Sequence, residues 1–219
     1  MLRLHIDRFW VSPYAFSSFV ALEEKQLRYE LVELGLDRGD QRAPAYARAS
    51  LTGRVPALSH APGEGASVFW LSESDAINAY LEEAFPPPDY TRLFPAELQE
   101  RARARQLSAW VRSDLMDLRE ERSAYTVFYA PTDKPLSAAG RAAADRVLRV
   151  ADQLISEGHP QGLFATWSLA DLDFAMMLQR LVASGERVPP KVRAFVDAQW
   201  SRPSVRRWVD HPRPTYVEY

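Results

Sequence analysis

The first 85 residues alternate between strand and helix periodicity, whereas everything after residue 95 shows helix periodicity alone. Leu2, Leu4 and Ile6 alternate with polar residues, as in a half-buried strand. The change follows a run of three prolines beginning at Pro86, which a helix cannot pass. The sequence therefore predicts an α/β domain over residues 1–85, a linker over 86–95 and an all-helical domain over 96–219.

The element order predicted for the first domain is β-α-β-α-β-β-α. A helix follows the first strand because Ser12 and Pro13 suit the N-cap and first helical positions. Turn residues between two short apolar runs favour a hairpin. After the first strand, the predicted elements are a helix over 13–25, a strand over 29–34, a short helix over 44–48, hairpin strands over 55–58 and 68–71, and a helix carrying 76–81.

In the second domain, apolar residues recur at helical spacing in four long segments. Ser168 and Asp171 form an N-capping box for the third segment, with aspartate in place of the usual glutamate or glutamine. The predicted helices are 96–122, 137–156, 168–183 and 190–200, followed by a short helix after 202 and an extended tail.

Composition narrows the classes of function. The 219 residues carry a formal net charge of −2, so bulk attraction to nucleic acid or to an anionic membrane is not expected. No apolar run approaches the ~20 residues that span a bilayer, and the N-terminus does not resemble a signal peptide, so we expect a cytoplasmic protein. The chain has no cysteine, and its four histidines lack ligand spacing. We therefore expect no metal, and any sulfur chemistry must use a thiol of the ligand.

Ser12 is the first candidate for chemistry. As an N-cap it contributes about 1 kcal/mol of stability, and on spacing alone this interpretation is favoured. A helix N-terminus also favours an anion, and a serine hydroxyl there is able to donate to a thiolate. Such surroundings lower a thiol pKa from ~8.5 to between ~3.5 and ~7.5. Tyr14 and Ser17 are the neighbouring hydroxyl groups that compete for this role.

Two further local signals follow. Only about 5–6% of X-Pro bonds are cis, so the pair Val55-Pro56 by itself indicates a proline at a strand entry. A cis bond would turn the amide and carbonyl of Val55 outward, where they could pair with a peptide-like ligand as an added strand. Ser72, Ser74 and Asp75 suit capping of the helix that follows, which is the favoured interpretation. Alternatively, Glu73 would bind the ammonium group of an α-amino acid, and Ser74 with backbone amides would bind its carboxylate.

These segments coincide in order and spacing with one family. The chain resembles the cytosolic glutathione transferases over essentially its whole length. The closest likeness is to the bacterial YfcF-type subgroup, on Ser-Pro-Tyr at 12–14 and on the helix that carries Arg-Ala-Arg-Ala-Arg at 101–105. The family resemblance rests on Ser-Pro-Tyr at 12–14, Gly-Arg-Val-Pro-Ala-Leu at 53–58, Leu-Ser-Glu-Ser-Asp-Ala-Ile at 71–77 and Ser-Leu-Ala-Asp at 168–171.

The resemblance implies a thioredoxin-like N-terminal domain, an all-helical C-terminal domain and a homodimer. It implies glutathione as co-substrate, with a small hydrophobic electrophile or a peroxide as second substrate. Carried over by position, Ser12 would hydrogen-bond the glutathione sulfur and activate it. Tyr14, Trp110, Arg112 and Met116 are expected to line the electrophile pocket, although aromatic and methionine side chains more often belong to a core.

The remaining glutathione contacts are also carried over by position. Val55, before a cis peptide bond at Pro56, would pair with the cysteinyl backbone. Glu73 and Ser74 would hold the γ-glutamyl end, and Arg54 would lie near the glutathione backbone. The resemblance thus implies conjugation of glutathione to electrophiles in detoxification, together with glutathione-dependent peroxide reduction.

Many bacterial relatives carry cysteine where this chain has Ser12. Without it, a mixed disulfide between enzyme and glutathione cannot form. Two alternatives to the transferase stay open, namely a glutathione-dependent isomerase and a non-catalytic binding module on the same fold. A transferase consumes free glutathione and an isomerase does not, so this measurement distinguishes the two enzymes. A failure to bind glutathione would indicate the second.

Overall fold

The computed structural model describes residues 1–63, 65–155 and 162–218. By its internal contacts the chain forms two compact units, one of Met1–Leu93 with Arg207–Tyr219 and one of Phe94–Arg206. The elements up to the prolines are β1 (Leu2–Asp7), α1 (Pro13–Glu24), β2 (Tyr29–Leu34), α2 (Pro44–Ser50), β3 (Ala57–His60), β4 (Phe69–Ser72) and α3 (Ser74–Ala84). After them come α4 (Leu98–Ser113), α5 (Met116–Glu121), α6 (Ala124–Phe128), α7 (Ala138–Leu154), α8 (Leu169–Ala183), α9 (Pro190–Trp200) and α10 (Pro203–Val209).

The four strands form one mixed sheet in the order β2-β1-β3-β4. β1 runs parallel to β2, which requires a crossover, and α1 supplies it. β3 runs antiparallel to both β1 and β4, so the hairpin predicted for the second half of this unit is present. Every element predicted here is found within a few residues, and two short 3₁₀ turns are added at Leu36–Arg38 and Asp40–Arg42.

A buried lysine fastens the end of α3 to the segment after it. The Lys25 ammonium group donates to the carbonyl oxygens of Phe85 and Thr91 at 2.9 and 2.8 Å and pairs with Glu82 at 2.9 Å. A buried charge is tolerated only when it is paired and hydrogen-bonded, and Lys25 meets both conditions. The segment that leaves α3 is therefore held against α1 rather than being a loose linker.

The predicted helix over 96–122 is wrong in one respect, because the structure divides it into α4 and α5. Asp114 ends α4 in an extended conformation, and its carboxylate accepts from the backbone amide of Leu115 at 2.6 Å and from the Trp110 indole at 3.0 Å. Leu115 is left-handed, with φ 63°, and fully buried. The break contains neither glycine nor proline, and the apolar residues keep their helical spacing across it. The sequence therefore does not indicate that the helix ends there. The short helix α6 has no counterpart among the predicted helices.

The capping box of α8 is confirmed. One carboxylate oxygen of Asp171 accepts from the Leu163 amide at 2.6 Å, and the other accepts from the amide and hydroxyl of Ser168 at 2.7 and 3.0 Å. α8 is the central helix of its unit, since it contacts α4, α6 and α9. The end of the preceding predicted helix, at Ser156, lies outside the described residues.

We expect the stability of the protein to depend on Asp171 between about pH 4 and pH 6. Burial raises the pKa of Asp171 from 3.8 to about 6, although the amide hydrogen bonds oppose the shift. The folded state therefore holds a proton over a pH range in which the unfolded state has lost it. The free energy of unfolding of the wild type, relative to Asp171→Asn, should fall as pH rises through this window. Equal pH dependence in both proteins would contradict the prediction.

The last residues pack with the sheet unit, whereas the sequence grouped them with the helical domain. Trp208 is fully buried, and its ring lies 4.7, 5.7 and 5.3 Å from those of Trp10, Phe16 and Phe19. Arg213 donates to the Trp10 carbonyl oxygen at 3.4 Å. These aromatic contacts bury a large apolar area, and they account for the placement of the C-terminal segment.

Candidate functional site

Three loops carrying predicted site residues meet at one edge of the sheet. β1 ends at Asp7 and leads to Ser12, β3 begins directly after Pro56, and β4 ends at Ser72, directly before Glu73. His5 pairs with Ala57, and Ala57 with Ser72, so these strand ends are neighbours in register. Strands lie about 4.8 Å apart, which places the loops of β1 and β4 about 10 Å from each other. An extended tripeptide has about the same length.

Ser12 is the N-cap of α1. Its hydroxyl oxygen accepts from the Ala15 amide at 3.2 Å, and its own amide donates to the Asp7 carboxylate at 3.0 Å. Because the hydroxyl oxygen already accepts from the helix, its hydrogen is available to a ligand acceptor. Ser17, the competing hydroxyl, is buried and accepts from the Asn78 side chain at 3.1 Å. Tyr14 is half-buried.

The loop that leads to Ser12 is held on several sides. Arg8 makes a two-pronged contact with Asp37, at 2.9 and 2.7 Å. Trp10 has φ 53°, a left-handed conformation that costs free energy in a bulky residue. Its indole donates to Glu33 at 2.7 Å, and its ring stacks on His211 with a centroid distance of 3.6 Å. This surrounding structure holds Trp10 in its strained conformation and fixes the start of the loop.

The peptide bond between Val55 and Pro56 is cis. Within the described ranges, no residue hydrogen-bonds to the amide or carbonyl of Val55. The carbonyl of the preceding residue, Arg54, accepts from the Tyr46 hydroxyl at 2.8 Å, and the Arg54 side chain is exposed. The backbone of Val55 therefore presents one donor and one acceptor that a peptide-like ligand is able to use.

Glu73 occupies the N-cap position of α3, but its side chain makes no capping hydrogen bond. Its backbone lies at φ 69° and ψ 118°, a strained conformation for a residue with a side chain. Glu73 is exposed, whereas Ser74 is buried at the start of the helix. The carboxylate is thus directed to solvent next to the helix N-terminus, where an ammonium group could reach it.

The four residues expected at the electrophile pocket lie on three helices. Tyr14 is on α1, Trp110 and Arg112 are on α4, and Met116 begins α5 and is exposed. The Trp110 indole donates to Asp114, and Arg112 pairs with Asp173 at 2.8 Å. Their assignment to an electrophile pocket stays a prediction.

Asp7 is the residue at this edge that the sequence did not reveal. It is fully buried, and its two carboxylate oxygens accept from the amides of Val11 and Ser12, each at 3.0 Å. Burial raises the pKa of Asp7, and the hydrogen bonds from Val11 and Ser12 oppose that shift. In the sequence Asp7 continues the polar positions of β1, so only its position just before the loop could have drawn attention to it.

The described part of the chain contains no cluster of three or more histidine, cysteine, aspartate or glutamate side chains suited to a metal ion. No helix in these ranges combines the length and hydropathy needed to cross a bilayer.

Comparison with known proteins gives a consistent result across the chain. The family model described as glutathione S-transferase, N-terminal domain, matches residues 11–84, and the model for the C-terminal domain matches residues 97–212. A solved glutathione transferase homolog from Burkholderia GL BGR1, with bound glutathione, is 42% identical. The match covers 95% of this chain and 96% of that one, with a TM-score of 0.78.

Curated relatives match over shorter stretches. A maleylacetoacetate isomerase from Pseudomonas aeruginosa is 36% identical over 112 residues, which is 50% of this chain and 49% of that protein. The disulfide-bond oxidoreductase YfcG from Escherichia coli is 35% identical over 101 residues, 45% of this chain and 44% of YfcG. The chain thus spans about half the length of the curated relatives it matches.

The two family models together span both units, and the likeness to the Burkholderia structure extends over nearly the whole chain. The predicted fold, a thioredoxin-like domain followed by an all-helical domain, is confirmed by these matches and by the mixed sheet. The chain belongs to the glutathione S-transferase family.

Proposed function

We propose that this chain binds glutathione and activates its thiol as a thiolate for attack on an electrophile or a peroxide. The observation that carries the proposal is the Ser12 hydroxyl, which accepts from Ala15 and keeps its hydrogen for a ligand. It lies at the N-terminus of α1, whose dipole favours a negative charge. The glutathione bound in the Burkholderia relative supports the choice of ligand.

In this proposal glutathione lies along the edge of the sheet, from Ser12 to Glu73. Its cysteinyl backbone pairs with the amide and carbonyl of Val55, which lack partners within the described ranges. The γ-glutamyl ammonium group binds Glu73, its carboxylate binds at the start of α3 near Ser74, and Arg54 lies near the glutathione backbone. The peptide then bridges the strand ends of β1 and β4, about 10 Å apart.

Two reactions follow from one thiolate. In conjugation, the thiol first loses its proton, and the sulfur then forms a bond to an electrophilic carbon of the second substrate. Either a leaving group departs from that carbon with its electron pair, or a π bond to that carbon breaks and the neighbouring atom takes up a proton. In peroxide reduction, the sulfur attacks one peroxide oxygen, the O–O bond breaks and an alcohol leaves. A second glutathione then converts the sulfenic acid to glutathione disulfide and water. The chain has no cysteine, so neither reaction passes through an enzyme–glutathione disulfide.

An isomerase is the second candidate, because the Pseudomonas relative is named maleylacetoacetate isomerase. In that reaction the thiolate adds to the substrate, rotation about a bond follows, and glutathione leaves unchanged. We also propose that the chain is related to the YfcF-type subgroup and that it forms a homodimer. Neither changes the chemistry expected at Ser12.

The test is an ultraviolet titration of the bound thiol, followed by an assay of glutathione itself. A thiolate absorbance that appears at lower pH with the protein than with free glutathione would support activation. Loss of free thiol upon addition of an electrophile or a peroxide indicates transfer or reduction. Turnover of a maleyl substrate without loss of thiol indicates the isomerase. Absence of glutathione binding would refute both and leave a non-catalytic module.

We expect Glu73→Gln to weaken glutathione binding about 10- to 100-fold. A hydrogen bond to a charged group contributes about 1.5–3 kcal/mol, and about 1.4 kcal/mol corresponds to a tenfold change in affinity. Glu83→Gln removes the same charge from the exposed face of α3, ten residues further along, and should leave the dissociation constant near the wild-type value. Isothermal titration calorimetry measures both.

A glutathione analogue without the α-amino group completes this test. If Glu73 binds the ammonium group, the analogue should bind wild type and Glu73→Gln with similar affinity. An equal loss of affinity for glutathione and for the analogue would contradict the assigned contact, because the loss would then not depend on the ammonium group.

A further inference from the structure

Asp7 is a buried carboxyl group for which the proposed mechanism has no role. It ends β1 and is fully buried. Its two oxygens accept from consecutive amides, those of Val11 and Ser12, and the amide of Phe9 also faces it. Burial of a carboxyl group costs free energy, which its hydrogen bonds must offset. These bonds all go to the loop that carries Ser12.

The contact with Asp7 determines which group of Ser12 a ligand is able to meet. The Ser12 amide would otherwise be one of the unpaired donors at the start of α1. Because it donates to Asp7, it does not point to a ligand. The hydroxyl oxygen is fixed in turn by the Ala15 amide. Asp7 and Ala15 together set the backbone and the side chain of Ser12, and only the hydroxyl hydrogen is left to donate.

We propose that Asp7 is a positioning residue for thiolate activation, and that its carboxylate holds the amides of Val11 and Ser12 so that the Ser12 hydroxyl faces the glutathione sulfur. This inference rests on the proposed function. Asp7 does not touch the substrate in it. It acts through Ser12, and a misplacement of about 1 Å at a reacting group is enough to cost about 100-fold in rate.

A purely structural role is the competing explanation, and the chain contains a matched control. Asp171 is also a fully buried aspartate whose carboxylate oxygens accept from two backbone amides, those of Leu163 and Ser168, but it caps α8 in the helical unit. Asp7→Asn and Asp171→Asn make the same change in the same kind of surroundings. Each replaces one acceptor oxygen by a donor, and both should lower the melting temperature.

The experiment measures the pKa of the bound glutathione thiol and the value of kcat/KM in these two variants. For Asp7→Asn we expect the thiol pKa to rise by about one unit and kcat/KM to fall about 10- to 100-fold. For Asp171→Asn both should stay at the wild-type values. A wild-type thiol pKa in folded Asp7→Asn would overturn the proposal. So would a lowered pKa, because it would mean that the Asp7 charge acts directly on the sulfur.

The double variant Asp7→Asn/Ser12→Ala shows whether Asp7 acts through Ser12. Residues that work through one contact are non-additive, so the double variant should match Ser12→Ala alone. Additive effects on the thiol pKa would overturn the proposal. If Ser12→Ala shifts the pKa and Asp7→Asn does not, only this inference fails. If Ser12→Ala has no effect, the role of Ser12 in the proposed function fails with it.

A measurement on the wild type keeps the inference testable if Asp7→Asn does not fold. The amide proton shifts of Val11 and Ser12, followed by nuclear magnetic resonance with glutathione bound, should titrate together with the Asp7 carboxyl. The Ser12 amide should also be protected from hydrogen exchange. Independent titration of the two amides, or rapid exchange at Ser12, would overturn the proposal.

Discussion

Replacement of Ser12 by alanine should raise the pKa of the bound glutathione thiol by about one to two units. A hydrogen bond to a charged acceptor contributes about 1.5–3 kcal/mol, and each pKa unit corresponds to about 1.4 kcal/mol. At a pH below the wild-type thiol pKa the ionised fraction falls tenfold for each unit of the rise, so kcat/KM there should fall about 10- to 100-fold. The fold is expected to survive, since the loss of an N-cap costs only about 1 kcal/mol.

Ser137→Ala is the matched control for this change. Ser137 is also an N-cap, and its hydroxyl oxygen accepts from the Gly140 amide at 3.1 Å at the start of α7. Because this hydroxyl also donates to Glu121, its loss should cost at least as much stability, with no change in the thiol pKa. Tyr14→Phe tests the rival hydroxyl. A pKa shift in Tyr14→Phe and none in Ser12→Ala would transfer the activating role to Tyr14.

The largest loss of stability is expected for Arg122→Ala. Arg122 is 2% exposed, and one guanidinium nitrogen donates to Glu186 at 2.6 Å and to the Lys134 carbonyl oxygen at 2.5 Å. Removal of one partner of a buried ion pair costs about 3–5 kcal/mol, and in this variant Glu186 keeps only its partly exposed partner Arg141. For a chain of this size the melting temperature should fall by about 6–20 °C, measured by thermal unfolding.

Arg141→Ala is the control, because Arg141 binds the other carboxylate oxygen of Glu186, at 2.8 Å, but is 46% exposed on its side chain. An exposed pair contributes about 0–1 kcal/mol, so this variant should lose little. Equal losses in the two variants would show that burial of Arg122 is not what makes its pair with Glu186 important.

The same carboxylate should make stability depend on pH. Burial alone would raise the pKa of Glu186, but the hydrogen bonds from Arg141 and Arg122 hold it below the ordinary value of 4.5. A carboxyl group with a lowered pKa stabilises the folded state above its unfolded pKa, and this stabilisation is lost as pH falls through the folded value. Arg122→Ala should therefore lose less stability upon acidification than the wild type.

The candidate site residues predicted from the sequence are those with a local signal. Ser12 and Pro13 mark a helix start, Pro56 marks a strand entry, and Glu73 precedes a helix. Each signal depends only on neighbours in the chain, so it can be recognised without coordinates. The family resemblance then supplied roles that the local signals left open.

Asp7 and Trp10 had no such signal. Asp7 occupies a polar position of a strand pattern, and its contacts arise because the loop folds back over its carboxylate. Trp10 looks like a core residue, and only the structure shows its strained backbone and its stack on His211, about 200 residues away. Contacts between segments that are distant in the chain impose no periodicity on the sequence.

The order and type of the elements can be predicted from the sequence, because burial on one face imposes a period on neighbouring residues. The sequence therefore predicted the β-α-β-α-β-β-α order and the helical second half. Three features depend instead on the folded structure, namely the break at Asp114, the packing of Trp208 with the sheet unit and the contact of Asp7 with the Ser12 loop. Each of these features depends on buried contacts between groups that are distant in the chain. The free energy of such contacts is not a property of any local stretch of sequence.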